Sequence, residues 1–127
     1  MNIPQELLYT KDHEWVRVDG AVATVGVTDF AQGELGDVVF VQLPDVGKLV
    51  KQGEAFGTIE AVKAVSDIYS PVSGEIMEVN AVLADKPETM NQDPYGTGWV
   101  VKIKTSNLQA DKAGLMDAAA YSDLTSA

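Results

Sequence analysis

The sequence predicts a mainly β protein, a sandwich or small barrel of short strands with a helical C-terminal end. Three observations support this class. Short runs alternate apolar and polar residues, Gly and Pro recur between these runs, and the pattern turns alanine- and leucine-rich only after Ser106. Alternation bounded by turn residues is typical of strands, and many short strands with such turns are typical of sandwiches and barrels. A length of 127 residues favours a single domain over residues 1–127.

The first strands form a predicted hairpin. "EWVRVDGAVATVGVT" alternates apolar and polar residues on both sides of Asp19-Gly20. An Asp-Gly pair between two such runs is a strong hairpin signal. "FAQGELG", residues 30–36, is short and bounded by Gly, so it predicts one helical turn or a turn-rich connection. "DVVFVQL" predicts a strand that ends before Pro44, because proline cannot donate to a ladder.

The remaining segments predict further strands and then helix. "KLVKQGEAFGTIEAV" predicts a bend at Gly53 followed by a strand, and "AVSDIYSPVSGEIMEVN" predicts two strands separated at Pro71. "GTGWVVKIKT" predicts a closing strand. The C-terminal segment, about residues 106–125, lacks β-branched runs and predicts helix, as one piece or as two short helices interrupted near Gly114.

Two segments share an outline. "PDVGKLVKQG" and "PVSGEIMEVN" lie 27 residues apart. Each has Pro, then Gly three residues later, two apolar residues shortly after, and Gly or Asn six after that first Gly. Gly and Asn are the residues that tolerate the left-handed backbone region. The match indicates either two hairpin arms packed about a pseudo-two-fold axis or a coincidence among Gly and Pro turns.

Composition excludes several classes of function. The net charge of −10 disfavours nucleic acid and anionic membranes as partners and favours basic protein surfaces. The absence of cysteine removes disulfides, thiolate catalysis and Cys-based metal sites. There is no 18-residue apolar stretch, and the N-terminus has no basic segment followed by an apolar run. We therefore expect a cytoplasmic protein in a bacterium, or a mitochondrial matrix protein in a eukaryote.

The sequence offers no catalytic constellation. His13, in "KDHEW", is the single histidine, and neither a G-x-S-x-G elbow nor a phosphate loop is present. We expect no catalytic residue and no metal site, and we interpret His13 as a polar residue near the first strand. The carboxylates Asp12, Glu14 and Asp67 are either solvated surface charges or an anionic wall for a cationic group, and their spacing leaves both open.

Lys63 stands out in "GTIEAVKAVSDIYSPVSGEI". It is the only basic residue between Gln52 and Asp85, and its neighbours Val62 and Ala64 are uncharged, so another protein could approach closely. It lies between the two similar segments, where a hairpin tip would project it into solvent. A solvated amine without an apolar pocket is a poor Schiff-base nucleophile and suits an attachment point better. The alternative is an ordinary surface lysine.

Four motifs carry a family resemblance. "YTKDHEWVRV", "VGVTDFAQGELGDVVFVQLPDVG", "EAVKAVSDIYSPVSGEIMEVN" and "NQDPYGTGWVVKIK" resemble, in order, the lipoyl-carrying H proteins of the glycine cleavage system. The resemblance covers about residues 9–104. It implies a lipoyl/biotinyl-type barrel-sandwich hybrid of antiparallel strands with short helices, including a C-terminal helical segment. The chain departs from the family at Ala61, where Ser is usual, and at Glu34, where some members have His.

The resemblance also implies a cofactor and site residues. Lys63 would carry lipoate through an amide bond, and Glu14 and Asp67 match acidic positions that face the loaded arm. Asp12 occupies a neighbouring position where other members often carry Ser. These residues would line a cleft for the arm and its cationic cargo.

The implied function is that of a non-catalytic carrier. It would shuttle the aminomethyl group of glycine from glycine decarboxylase to the aminomethyltransferase, and dihydrolipoyl dehydrogenase would reoxidise it. A lipoate ligase or a lipoyl/octanoyl transferase would modify Lys63.

Three alternatives stay open. A biotin carrier typically has Met on both sides of its lysine, where this chain has Val62 and Ala64. A lipoyl domain of a 2-oxoacid dehydrogenase lies in a multidomain chain with Pro/Ala-rich linkers, and this chain has none. The third alternative is a small binding module whose lysine stays unmodified.

Overall fold

The structure, a computed structural model, describes residues 2–126. Within this range nine strands form two sheets, and every strand pairing is antiparallel. The larger sheet has the order β1-β2-β3-β9-β8-β5, with β1 at Leu8–Tyr9, β2 at Glu14–Asp19, β3 at Val22–Val27, β5 at Leu49–Val50, β8 at Gly74–Val79 and β9 at Val101–Thr105. The smaller sheet has the order β4-β6-β7, with β4 at Val38–Gln42, β6 at Ala55–Ala61 and β7 at Val65–Tyr69.

Five short helices complete the described range: α1 at Asp29–Leu35, α2 at Val82–Asp85, α3 at Thr89–Gln92, α4 at Leu108–Lys112 and α5 at Ala118–Thr125. The two longest helices begin with side-chain caps. Thr28 Oγ1 accepts the Ala31 N–H at 3.2 Å, and Asp117 Oδ1 accepts the Ala120 N–H at 2.9 Å. Such caps satisfy N–H groups that have no partner within the helix. None of the helices among the described residues is long and apolar enough to cross a bilayer.

The main core lies between the two sheets. Alternation along the strands produces it: in β9, Val101 and Ile103 are fully buried, and Lys104 faces solvent. A second cluster of Leu7, Tyr9, Trp15 and Tyr121 joins the N-terminal strands to α5. Large aromatic side chains therefore pack α5 against β1 and β2.

The predicted elements are present, with two differences of detail. The β2–β3 hairpin is confirmed, but Asp19 pairs with Val22, so its turn is Gly20-Ala21, one residue later than expected. Gly20 has φ +62° at the first central position, which is where a two-residue II′ turn requires glycine. Helix α1 has seven residues and so exceeds the single turn expected. The C-terminal segment forms two helices, interrupted around Gly114 as expected.

The two similar segments pair with each other. Leu49 lies opposite Glu75 in the β5–β8 ladder, and the Gly47 N–H donates to the Ile76 carbonyl at 2.7 Å. Gly53 has φ +87°, as its place in the outline predicts. The corresponding expectation for Asn80 is wrong, because Asn80 does not adopt positive φ. Its buried amide instead donates to the carbonyls of Thr97 and Trp99, both at 2.7 Å.

Candidate functional site: a lysine turn and an acidic cleft

Lys63 lies at the tip of the β6–β7 hairpin. Residues 62–64, hereafter the lysine turn, connect the two strands and are all exposed. The Ala61 N–H donates to the Ala64 carbonyl at 2.9 Å and closes the turn. In the described range the one salt bridge joins Lys102 and Glu78, so the Lys63 amine has no ion-pair partner there. The amine is therefore available to a reagent or an enzyme.

The lysine turn is held by the connection between α1 and β4. The Val62 N–H donates to the Asp37 carbonyl at 3.0 Å, and the Lys63 N–H donates to the Leu35 carbonyl at 3.2 Å. The methylene stem of Lys63 lies over Gly36, where a Cβ would come within 3.3 Å of the lysine Cγ. Gly36 has φ +77°, a conformation that favours glycine. The tip is thus exposed but its main chain is fixed.

Apolar side chains surround the lysine turn. Val62 and Val65 are 71% and 68% exposed, and Phe40 on β4 is 49% exposed. In the ladder Phe40 lies opposite Glu60, and Glu60 lies opposite Val65, so these three residues form one row across the smaller sheet. This row, next to Lys63, combines exposed apolar surface with a carboxylate.

A cleft of about 400 Å³ lies at the other end of β7. Four segments line it: the β1–β2 connection with the start of β2, the turn before β6, the end of β7 with the turn after it, and the α4–α5 connection. Its lining residues are Thr10, Lys11, Asp12, Glu14, Gln52, Gly53, Tyr69, Ser70, Pro71, Gly114, Leu115 and Met116.

Glu14 is the buried carboxyl group of the cleft, only 2% exposed. The Thr10 hydroxyl donates to Oε1 at 2.6 Å, and the Tyr69 N–H donates to Oε2 at 3.3 Å. Burial raises the pKa of Glu14 to about 8, although these two hydrogen bonds favour the ionised form, and the charge of Asp12 raises the pKa further. A pKa of about 8 favours the protonated form of Glu14 at neutral pH.

The other two carboxylates are exposed. Asp12 lies in the lining of the cleft with Glu14. Asp67 does not line it. It lies on β7 between the lysine turn and Tyr69, opposite Thr58, whose hydroxyl donates to Asp67 Oδ1 at 3.4 Å. From Val65 to Tyr69 the strand rises about 13 Å. The structure thus brings Asp12 and Glu14 together and places Asp67 along the strand that leads from Lys63 to them.

Sequence reasoning missed several residues around this site. Thr10 gave no signal beyond its place before "KDHEW", yet its hydroxyl bonds Glu14. His13 has φ +70°, and its Nδ1 lies 2.8 Å from the Tyr121 hydroxyl, which lies 2.7 Å from Thr28 Oγ1. Burial lowers the pKa of His13. His13 is thus a polar residue beside β2, as expected, but it also joins α5 to the start of α1. Residues 2–126 contain no group of three or more His, Cys, Asp or Glu placed to hold a metal.

One exposed lysine at the tip of a fixed hairpin, in a two-sheet antiparallel fold, fits the class of carrier domain that the resemblance implied. Comparison with known proteins narrows this class. A family model described as glycine cleavage H-protein matches residues 7–127. The chain belongs to this family, and its fold is the barrel-sandwich hybrid that the resemblance implied.

Individual relatives agree with the family match. The chain is 60% identical over 126 residues to a glycine cleavage system H protein of Chlorobium luteolum, covering 98% of each chain. It is 59% identical over 120 residues to one from Herpetosiphon aurantiacus, covering 94% of this chain and 91% of the relative. The crystal structure of an H protein from Mycobacterium marinum superposes with a TM-score of 0.86 at 40% identity, over 98% of this chain and 100% of that one.

Proposed function

We propose that this chain is the lipoyl carrier of the glycine cleavage system, with lipoate attached to Lys63 by an amide bond. The observation that carries the proposal is the exposed, unpaired lysine at the hairpin tip of a chain in this family. The residues present fit the group, because Lys63 is exposed and hydrogen bonds fix the main chain of the turn around it. When bound, lipoate supplies a dithiolane that opens to accept an aminomethyl group on one sulfur and leaves a thiol on the other.

The residues of the cleft hold the cationic cargo of the arm. An ammonium next to Glu14 lowers its pKa, so cargo docking draws a proton from the carboxyl group and forms an ion pair. The pair is buried at Glu14, where Thr10 and Tyr69 already orient both carboxylate oxygens. Asp12 is exposed, so it contributes about 0–1 kcal/mol to docking in the cleft. Asp67 is also exposed but lies outside the cleft on β7, so at most it forms a weak pair along the path of the arm from Lys63. Walls from four segments limit the access of water to the docked cargo.

Lys63 and its surroundings serve the partner enzymes. Glycine decarboxylase loads the carrier, the aminomethyltransferase unloads it, and dihydrolipoyl dehydrogenase reoxidises it. A lipoate ligase or a lipoyl/octanoyl transferase first acylates the lysine. Each enzyme must approach the lysine turn, where it meets exposed Val62, Val65 and Phe40. The net charge of −10 favours enzymes with basic residues around that apolar contact.

The carrier itself performs no catalysis in this proposal. The tethered arm reaches each docked active site at high effective concentration, and the enzymes supply the reacting groups. The similar H proteins come from bacteria, so we place the carrier in the cytoplasm with those enzymes.

Intact mass and peptide mapping test the proposal. The chain is expressed with a lipoate ligase and lipoate, and the peptide that contains Lys63 is mapped. We expect a lipoyl or octanoyl adduct on that lysine. A biotin adduct would instead indicate a biotinyl carrier, and an unmodified lysine under these conditions would indicate a binding module.

A further inference from the structure

The main-chain hydrogen bonds of the lysine turn join it to the connection between α1 and β4. Residues 35–38, which connect α1 to β4, form what we call the platform. The carbonyls of Leu35 and Asp37 accept from the N–H groups of Lys63 and Val62. The orientation of the lysine main chain therefore depends on how well the platform itself is held.

Asn91, in α3, forms hydrogen bonds that hold the platform in place. Its Nδ2 donates to the Gly36 carbonyl at 2.9 Å and to Gln32 Oε1 at 3.1 Å, and its Oδ1 accepts the Val38 N–H at 2.8 Å. One amide thus bonds both the end of α1 and the start of β4. The neighbouring Met90 is fully buried, which anchors α3 and fixes the position of Asn91.

The lysine turn depends on this support because its own hairpin gives it little. One main-chain bond, from Ala61 to Ala64, closes it, and its three residues are exposed. Without the platform the tip would sample several orientations, and an enzyme that binds one of them would have to order it. Ordering main chain and side chains on binding costs free energy, and a preorganised segment avoids that cost.

We propose that Asn91 and Gly36 are positioning residues for the acylation of Lys63. Asn91 fixes the platform that hydrogen-bonds the lysine turn, and Gly36 leaves room for the lysine stem to lie across the platform. This inference rests on the proposed function, since it assumes that Lys63 is the acylated residue. Neither residue touches the reacting amine, and both act through the conformation of the turn.

Asn80 provides a matched control for Asn91. Its Nδ2 also donates to two acceptors, the Thr97 and Trp99 carbonyls, and its Oδ1 also accepts one main-chain N–H, that of Val82. These bonds lie away from the lysine turn. Asn91→Ala and Asn80→Ala thus each remove two bonds donated by the amide and one accepted from a main-chain N–H, and only the first removes them from the platform.

The test measures kcat/KM for transfer of lipoate to the full-length apo chain by purified lipoate ligase with ATP. Asn91→Ala should lower kcat/KM by about tenfold. This is the loss expected if the ordered lysine turn loses the net contribution of about one hydrogen bond. Asn80→Ala should stay within about twofold of wild type. Amide hydrogen exchange supplies a second readout: the N–H groups of Val62 and Lys63 should exchange faster in Asn91→Ala alone.

Gly36→Ala is the second variant, and it carries the test if Asn91→Ala does not fold. Its Cβ displaces the lysine stem and strains a backbone at φ +77°, so acylation should also slow. Gly20→Ala is its control, since Gly20 also has positive φ but has nothing within 4 Å of an added Cβ. Equal kcat/KM in both members of either pair would overturn the inference. Failure of the wild-type chain to be acylated on Lys63 would instead overturn the proposed function.

Discussion

The lysine turn and the cleft lie at opposite ends of β7. They differ in how far their ionisable groups are exposed to solvent. Lys63 is exposed, and a fixed main chain presents it to solvent. Glu14 is 2% exposed, and its pKa is raised to about 8 by burial. Under the proposed function, attachment and docking make opposite demands. The first requires an amine that several enzymes can reach, and the second requires a carboxyl group that water reaches poorly.

Removal of the attachment point has the largest expected effect. Lys63→Arg keeps the positive charge and lies in an exposed turn, so the variant should fold like wild type. A guanidinium cannot be lipoylated, so glycine cleavage with the complete enzyme set should fall to background. The measurement is CO2 release from glycine, with circular dichroism to verify folding. Carrier activity in this variant would contradict the central proposal.

A change at the cleft should leave attachment intact and affect only the cargo. Glu14→Gln should be lipoylated at the wild-type rate, because Lys63 and the platform are untouched. The aminomethylated form should decay faster, by about tenfold if the buried ion pair contributes about 1.4 kcal/mol. Single-turnover decay of purified loaded protein measures this. Equal decay in variant and wild type would show that Glu14 does not protect the cargo.

Glu14 also makes stability depend on pH. Its pKa is 4.5 in the unfolded reference and about 8 in the folded chain, so folding takes up a proton between these values. Stability should therefore fall as pH rises through this window, by up to about 1.4 kcal/mol for each pH unit. His13 has a lowered pKa, so its contribution rises with pH and is complete above 6.5. Urea unfolding from about pH 6.5 to about pH 8 thus isolates Glu14.

Glu14→Gln supplies the comparison for that titration. The variant should show a nearly flat free energy of unfolding over the same range, although Gln cannot accept from both Thr10 and Tyr69. A slope as steep as that of wild type would mean that another group titrates.

The exposed carboxylates should have the smallest effects. Asp12→Asn and Asp67→Asn should each change the lifetime of the loaded form by less than about fivefold, as expected for pairs of about 0–1 kcal/mol. Salt should screen these effects and leave that of Glu14 less affected. Comparing decay at low and high ionic strength separates the two classes. An effect of Asp67→Asn as large as that of Glu14→Gln would mean that the cargo docks on β7 outside the cleft.

Local sequence patterns predicted the turns and helix breaks, because these depend on residues that are close together in the sequence. The β2–β3 hairpin follows from alternation around Gly20, and the helix break near Gly114 follows from composition. The position of Lys63 between the two similar segments predicted a projecting tip, and that tip is present. The family resemblance then implied roles for Glu14, Asp12 and Asp67, which spacing alone left undecided, and these roles stay predictions.

The missing parts depend on contacts between distant residues. Helix α3 is only four residues long and too short to show a period, so Asn91 gave no signal. Its bonds reach 53 and 55 residues back, to Val38 and Gly36. The burial that raises the pKa of Glu14 likewise requires Tyr69 and the α4–α5 connection to close around it. No window of neighbouring sequence contains that information.

The pairing of Tyr9 with Met116 joins the two ends of the described chain at the cleft. Each N–H of this pair donates to the other's carbonyl at 2.8 Å, and Leu115 and Met116 line the cleft. The lysine turn and the platform, by contrast, are made entirely of residues that precede Met116 in the chain. The last part of the described chain therefore supplies a wall of the cleft and none of the hydrogen bonds that hold the lysine turn.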